Sequence, residues 1–274
     1  MDRNSIHVTS WGTSGPRVVM VHGGAQGSRA AGEANFSRQQ PLATEGGWRL
    51  IVPDRPGHGL SPDPGRPDDS DLDGEWVAEL LGDEAHLVGH SFGACVALAA
   101  AAKRPSAVRS LTLIEPGLQK FAISDPHVKR LALGLVMAKF LSISNAQRTG
   151  RIVKLLGIPP EVSDRSTPEE QKRMGKSVMR SRFPSRETAS RELAVVRTSG
   201  IPLLVISGGW SPAFEATSNM VAAAGGGQRA VIEAGHHFPQ FLADKFNPVL
   251  DAFMKESDAL RTASMSQRAA TEVD

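Results

Sequence analysis

The 274-residue chain is 40% apolar and 22% charged, ordinary for a globular domain and long enough to enclose one large core. Its formal net charge of +2 gives no electrostatic reason to expect nucleic acid or an anionic membrane as partner, and no run approaches the ~20 apolar residues of a bilayer span. Residues 1–8 carry no apolar run of the secretory type, and the single cysteine, Cys95, cannot form an internal disulfide, so the expected compartment is the cytoplasm.

In chain order, strands alternate with helices. Residues 6–11 form a first short strand. Residues 17–21 follow with Val18-Val19-Met20-Val21 and run into His22-Gly23-Gly24. The strand over 48–53 closes on Asp54-Arg55-Pro56-Gly57-His58-Gly59, and 71–81 is helical, with acidic residues in the first turn where the helix dipole favours them. Residues 85–89 are a short buried strand, 92–102 an Ala-rich helix that ends before Pro105, and 108–114 a strand that stops at Glu115-Pro116. Strands over 201–206 and 229–232 complete a mostly parallel central sheet flanked by helices, an α/β fold.

Residues 117–197 break this rhythm. Helical periodicity over 128–141 is followed by joints at Pro159, Pro160, Pro168 and Pro184, which points to an inserted, largely helical cap over the active-site face. The core is then residues 1–116 and 198–256, and the small, polar residues 257–274 read as a disordered tail.

The chemistry concentrates at His86-Leu87-Val88-Gly89-His90-Ser91-Phe92-Gly93-Ala94, a strand, a sharp turn and a helix. Gly-x-Ser-x-Gly alone is a weak pattern; in this setting it lifts a serine oxygen clear of the sheet. Gly89 and Gly93, two residues before and after Ser91, let the strand and helix backbones pass closely. The helix N-terminus places the Phe92 N–H and a positive dipole end where negative charge would develop on a carbonyl oxygen. Ser91 is therefore the candidate nucleophile.

With these motifs the chain resembles the α/β-hydrolase superfamily along nearly its whole length, the cap being least constrained. That resemblance implies a second oxyanion donor at Gly24, in His22-Gly23-Gly24-Ala25. It also implies a base after the last strand, where Ala234-Gly235-His236-His237-Phe238-Pro239 offers two histidines. His237 is preferred because Pro239 fixes the start of the following helix, and His236 stays open as the alternative. The orienting acid usually follows the strand over 201–206, where this chain has Ser211 instead, and a serine cannot offset an imidazolium charge. Glu115, at the tip of the strand after the nucleophile helix, is the favoured acid, as in certain haloalkane dehalogenases and lactonases acting on resorcylic lactones. Glu215 is the fallback. The Asp54 to Gly59 turn resembles a structural hallmark of the superfamily, with His58 a loop-fixing partner.

A serine nucleophile leaves acyl chemistry: a cofactor-independent serine hydrolase that cleaves a carboxylic ester or lactone through an acyl-enzyme. A carbon–carbon bond hydrolase, a perhydrolase or haloperoxidase-like enzyme, and a non-catalytic small-molecule-binding scaffold are the alternatives, because fold does not fix reaction. No metal-ligand spacing or dinucleotide fingerprint is visible, so neither metal nor cofactor is expected. The expected partner is a small, largely apolar ester or lactone, with neither nucleic acid nor membrane, and assembly into a homo-oligomer is left open. Leu131, Leu133, Leu135, Val136, Met137 and Phe140 either line an apolar cavity or, the favoured reading, pack the cap on itself.

Overall fold

A computed structural model describes residues 6–24, 31–163 and 180–271; Ala25, Pro168 and residues 272–274 lie outside them. Seven strands form one sheet: β1 (Val8–Trp11), β2 (Arg17–Val21), β3 (Arg49–Pro53), β4 (Ala85–His90), β5 (Val108–Ile114), β6 (Leu203–Ser207) and β7 (Gln228–Val231). Their spatial order is β1-β3-β2-β4-β5-β6-β7, with β1 antiparallel to β3 and every other pairing parallel. The central strands are buried on both sides, which is why they read as continuous apolar runs and not as alternating ones.

Period-two geometry divides these strands between two cores. Val19, Val21, Leu87, Leu111, Leu113, Leu203 and Val205 face one side. There they meet α3 (Ser70–Leu80) and α4 (Phe92–Lys103). Val18, Met20, Val88, Ile114, Leu204 and Ile206 face the other side and pack on Phe246, Leu250, Phe253 and Met254. Two shorter helices, α1 (Ala31–Phe36) and α2 (Gln40–Thr44), also cover this second side. The Asp69 carboxylate caps α3 by accepting the N–H groups of Asp71 and Leu72 at 3.0 and 3.3 Å.

The segment between β5 and β6 holds α5 (Pro126–Phe140), α6 (Asn145–Leu155), α7 (Pro160–Ser163) and α8 (Arg186–Thr198). Ala122, Val128 and Leu131 pack against Ala213 and Phe214 of α9 (Pro212–Gly225), so α5 rests on the helix after β6. Helix α8 behaves differently. Its Ala189, Leu193 and Val196 are fully buried in the first core against α4, so the expected cap boundary at residue 197 falls inside a helix of the core layer. The six apolar side chains assigned to the cap interior also divide. Leu131 and Leu135 face α9, whereas Leu133, Val136, Met137 and Phe140 point outward.

The last helix, α10, runs from Ala243 to Thr271 through most of the stretch expected to be a disordered tail. Its extension is anchored by charge that composition does not reveal. Asp258 pairs with Arg109 at 3.0 Å, Glu84 pairs with both Arg109 and Arg261, and Ser257 is buried.

Backbones also approach closely at the turn between β4 and α4. A β-carbon on Gly93 would overlap the carbonyl oxygens of Val21 and His22, whereas one on Gly150 in α6 would meet nothing within 4 Å. Gly93→Ala is expected to lower the unfolding free energy by about 1–3 kcal/mol. Gly150→Ala should leave it unchanged or raise it slightly. Urea titrations of the two variants compare them directly.

Candidate active site

Ser91 joins β4 to α4 with φ 55° and ψ −118°, a conformation that costs a non-glycine residue about 1–3 kcal/mol. Backbone bonds on both sides hold it there. The Ser91 N–H donates to Ile114 O at 2.9 Å, and Ser91 O accepts from Ala94 and Gly117 N–H at 3.1 and 3.0 Å. Among the described residues the other non-glycine with positive φ is Glu115, at 45°, on the neighbouring strand tip. Its N–H donates to Ile206 O at 2.8 Å. Two adjacent parallel strands thus each end in a kink that turns a polar side chain into the same crevice.

Between those side chains lies His237. Its Nε2 is 2.9 Å from Ser91 Oγ and its Nδ1 is 2.9 Å from Glu115 Oε2. Because Nδ1 faces a carboxylate, it carries the proton, which leaves the Nε2 lone pair toward the serine hydroxyl. Glu115 is fully buried and receives two further donors: Gly208 N–H at 2.5 Å to Oε1 and the Trp210 indole N–H at 3.0 Å to Oε2. A β-carbon on Gly208 would strike His236 O, so glycine is needed for that approach.

The loop carrying His237 is fastened at its backbone as well. The His237 N–H donates to Gly157 O, in the segment after α6, at 3.0 Å, and His237 O accepts from His90 Nε2 at 2.8 Å. Asn35 Nδ2 donates to His90 Nδ1 at 3.2 Å, and Asn35 Oδ1 accepts from Gln240 Nε2 at 3.0 Å. Burial, reinforced by the nearby His237 ring, holds the His90 pKa well below its ordinary value, so His90 serves as a neutral donor.

The alternatives named from sequence are committed elsewhere. His236 is half-buried and accepts Phe238 N–H at Nδ1, 3.1 Å, which shapes the turn; burial lowers its pKa. Glu215 accepts Ser207 Oγ–H at 2.8 Å and pairs with Arg229 at 2.8 Å, away from His237. Ser211 precedes α9 and makes no side-chain capping bond. The side-chain donor that this loop gives the Glu115 carboxylate is instead Trp210. An indole N–H has no motif of its own, so Trp210 carries no signal in the sequence. Cys95 is buried in α4, where burial pushes its thiol pKa upward, so it offers no second nucleophile.

Gly23 and Gly24 run beside the elbow. β-Carbons added to them would lie 3.0 Å from Ser91 Cβ and 3.7 Å from Phe92 Cβ, respectively. Phe92 opens α4, so its N–H has no partner within the helix. Beneath this loop lies Arg55, fully buried. Its guanidinium donates to His22 O and Gly23 O, both at 3.1 Å, pairs with Asp73 at 3.0 Å and Asp68 at 3.3 Å, and stacks 4.8 Å from the Phe92 ring centroid. His58 binds Asp68 at 3.0 Å, and Asp54 accepts Gly32 and Leu60 N–H at 2.7 and 2.8 Å. The turn from Asp54 to Gly59 is thus a scaffold under the glycine loop. The reach of Arg55 to that loop has no signal in the sequence. Among the described residues no group of three or more His, Cys, Asp or Glu converges as a metal site would.

A family model for the alpha/beta hydrolase fold matches residues 16–244, and the chain belongs to that family. It is 35% identical over 117 residues to a 2-hydroxy-6-oxononadienedioate/2-hydroxy-6-oxononatrienedioate hydrolase of Pseudomonas putida; the match spans 41% of this chain and 40% of the relative. Over 119 residues it is 35% identical to the lipase LipV of Mycobacterium tuberculosis, across 41% and 42% of the two chains. Among solved structures, a hydrolase from Oleispira antarctica superposes with a TM-score of 0.68 at 16% identity, over 93% of this chain and 96% of that one.

Two consequences of the Arg55 scaffold can be measured. Arg55→Met removes the buried cation that Asp68 and Asp73 share, leaving Asp73 paired with Arg66 at 2.7 Å and Asp68 with His58, and is expected to cost about 3–5 kcal/mol of stability by denaturant titration. Burial alone would push the Asp68 carboxyl up, but the Arg55 charge and the His58 hydrogen bond outweigh it and hold the group well below the usual carboxylate range. Its folded pKa is therefore lower than its unfolded one. The stabilisation is complete above the unfolded value near 4 and fades as pH falls beneath it. Asp68→Asn should flatten the acid limb of a stability curve taken between about pH 3 and about pH 7.

Proposed function

We propose that the protein is a cofactor-independent serine hydrolase acting on a small, largely apolar carboxylic ester or lactone. One observation carries the reading: a continuous relay in which Ser91 Oγ, His237 and the buried Glu115 carboxylate are joined by two 2.9 Å hydrogen bonds. As Ser91 Oγ bonds to the acyl carbon, its proton passes to His237 Nε2. Glu115 holds the imidazole in the required tautomer and offsets the charge that forms on it. The carbonyl oxygen gains negative charge and is met by the N–H groups of Phe92 and Gly24, each worth about 3 kcal/mol in such a site. Collapse of the adduct breaks the bond to the leaving oxygen, which takes the proton from His237. A water then repeats the sequence on the acyl-enzyme, giving the carboxylic acid and restoring the serine hydroxyl.

The surroundings favour an apolar acyl group. The Phe92 and Phe183 rings pack edge to face at 4.9 Å, and Phe214 and Trp210 lie 4.7 and 6.3 Å from the His237 ring. Arg55, the cation beneath Phe92, is occupied by two carboxylates and two carbonyl oxygens. A second reading, hydrolysis of a carbon–carbon bond next to a carbonyl, is favoured by the likeness to the Pseudomonas putida hydrolase over two-fifths of the chain.

A panel of p-nitrophenyl esters, lactones and vinylogous diketones separates the two. Ester or lactone turnover that disappears in Ser91→Ala is expected, together with labelling of Ser91 by a fluorophosphonate. Turnover of the diketones alone would move the assignment to the second reading. Glu115→Gln should lower kcat by about 10⁴-fold, because an amide orients the wrong tautomer. Unchanged turnover in that variant would remove Glu115 from the mechanism.

A further inference from the structure

We propose that the α5–α6 hairpin docks on the surface of an anionic phospholipid bilayer. Two independent features meet there. First, Leu133, Val136, Met137 and Phe140 recur at the spacing that aligns side chains along one helix face, and they are 60, 51, 48 and 71% exposed. Leu141 and Ile143 extend the patch beyond the helix end at 61 and 95%. Meanwhile Val128 and Leu131 on the opposite side of α5 are buried against α9, so the helix already has its partner inside the fold. The outward stripe stays exposed while the opposite face of α5 is packed, and an apolar stripe of this kind marks an interaction surface.

Second, the charge carried by the hairpin itself has one sign. Residues 126–160 contain Lys129, Arg130, Lys139, Arg148, Arg151 and Lys154 and no Asp or Glu. The stretch carries +6 in a chain whose total is +2, so the remainder of the protein is net negative. Several of these cations border the apolar patch. Lys139 Nζ lies 5.5 Å from the Phe140 ring centroid, Arg151 donates to Leu141 O at 3.1 Å, and Arg148 donates to Lys139 O at 3.3 Å.

An apolar helical face with a basic rim suits a bilayer whose headgroups are anionic: Phe and Leu enter the acyl boundary while Lys and Arg stay among the phosphates. Two copies of the hairpin placed face to face would oppose like charges across the same patch, which disfavours self-association there. No helix among the described residues is long and apolar enough to cross a membrane, so contact of this kind would be peripheral. The small total charge argues against such a partner, and the segregation of that charge argues for it. Docking here does not depend on the chemistry assigned to Ser91.

Co-sedimentation with vesicles tests the surface. The full chain is expected to pellet with phosphatidylcholine vesicles containing phosphatidylglycerol, to stay in solution with phosphatidylcholine alone, and to be released by added salt. Phe140→Asp should weaken binding by about tenfold or more, and Lys139→Gln combined with Lys154→Gln by a comparable factor, with thermal midpoints little changed because Phe140 and Lys154 are exposed and Lys139 is partly so. Failure of the wild type to bind anionic vesicles overturns the proposal, as does Phe140→Asp binding as well as the wild type. A wild-type dimer in light scattering that Phe140→Asp dissociates, without vesicle binding, would assign the face to a second copy and equally overturn it.

Discussion

The candidate site depends on how a buried carboxylate is held at the tip of β5. Glu115 has no exposed surface, yet three N–H groups reach its two oxygens, from His237, Gly208 and Trp210. A buried charge left with fewer partners would be strongly destabilising, so the surrounding loops must converge on it if the fold is to be stable. The same convergence brings His237 to Ser91. Satisfaction of the Glu115 carboxylate and placement of His237 against Ser91 are one set of hydrogen bonds.

Strain and support are placed accordingly. Ser91 and Glu115 adopt backbone conformations that non-glycine residues avoid, on adjacent strands whose ends are tied to one another through Ser91 N–H and Ile114 O. Such conformations persist only where surrounding bonds over-determine them. Here the bonds come from far along the chain: Ile206 O for Glu115, Gly117 N–H for Ser91, and Gly157 O and His90 for the loop of His237. A carbonyl of the segment between β5 and β6 thus helps to hold the loop that carries the imidazole.

The glycine loop beside Ser91 is braced by a different device. Its two carbonyls, of His22 and Gly23, face the Arg55 guanidinium, and two aspartates behind that cation hold it in place. With its carbonyls engaged on one side, the loop is held in position beside the elbow. Charge organises the periphery too. It anchors the end of α10 through Arg109, Glu84, Asp258 and Arg261, and it makes the α5–α6 hairpin uniformly cationic around an apolar stripe.

Local pattern in the sequence was enough for the strand–helix alternation, the elbow at Gly89 to Gly93, and the short list of histidines and carboxylates from which a relay could be drawn. Those features follow from side-chain periodicity and from the steric needs of a sharp turn, both of which act over a few residues. Which of those side chains meet, across 122 and 146 positions of chain, belonged to the tertiary structure. The β-strand tips and loops bring His237, and not His236, to 2.9 Å from Ser91 Oγ, and Glu115, and not Glu215, to 2.9 Å from His237, while Arg229 and Ser207 draw Glu215 aside. The place of α8 in the core, the helical course of residues 257–271 and the roles of Trp210 and Arg55 were likewise not legible. Each rests on burial or on a hydrogen bond between distant segments, and only the folded chain creates those neighbourhoods.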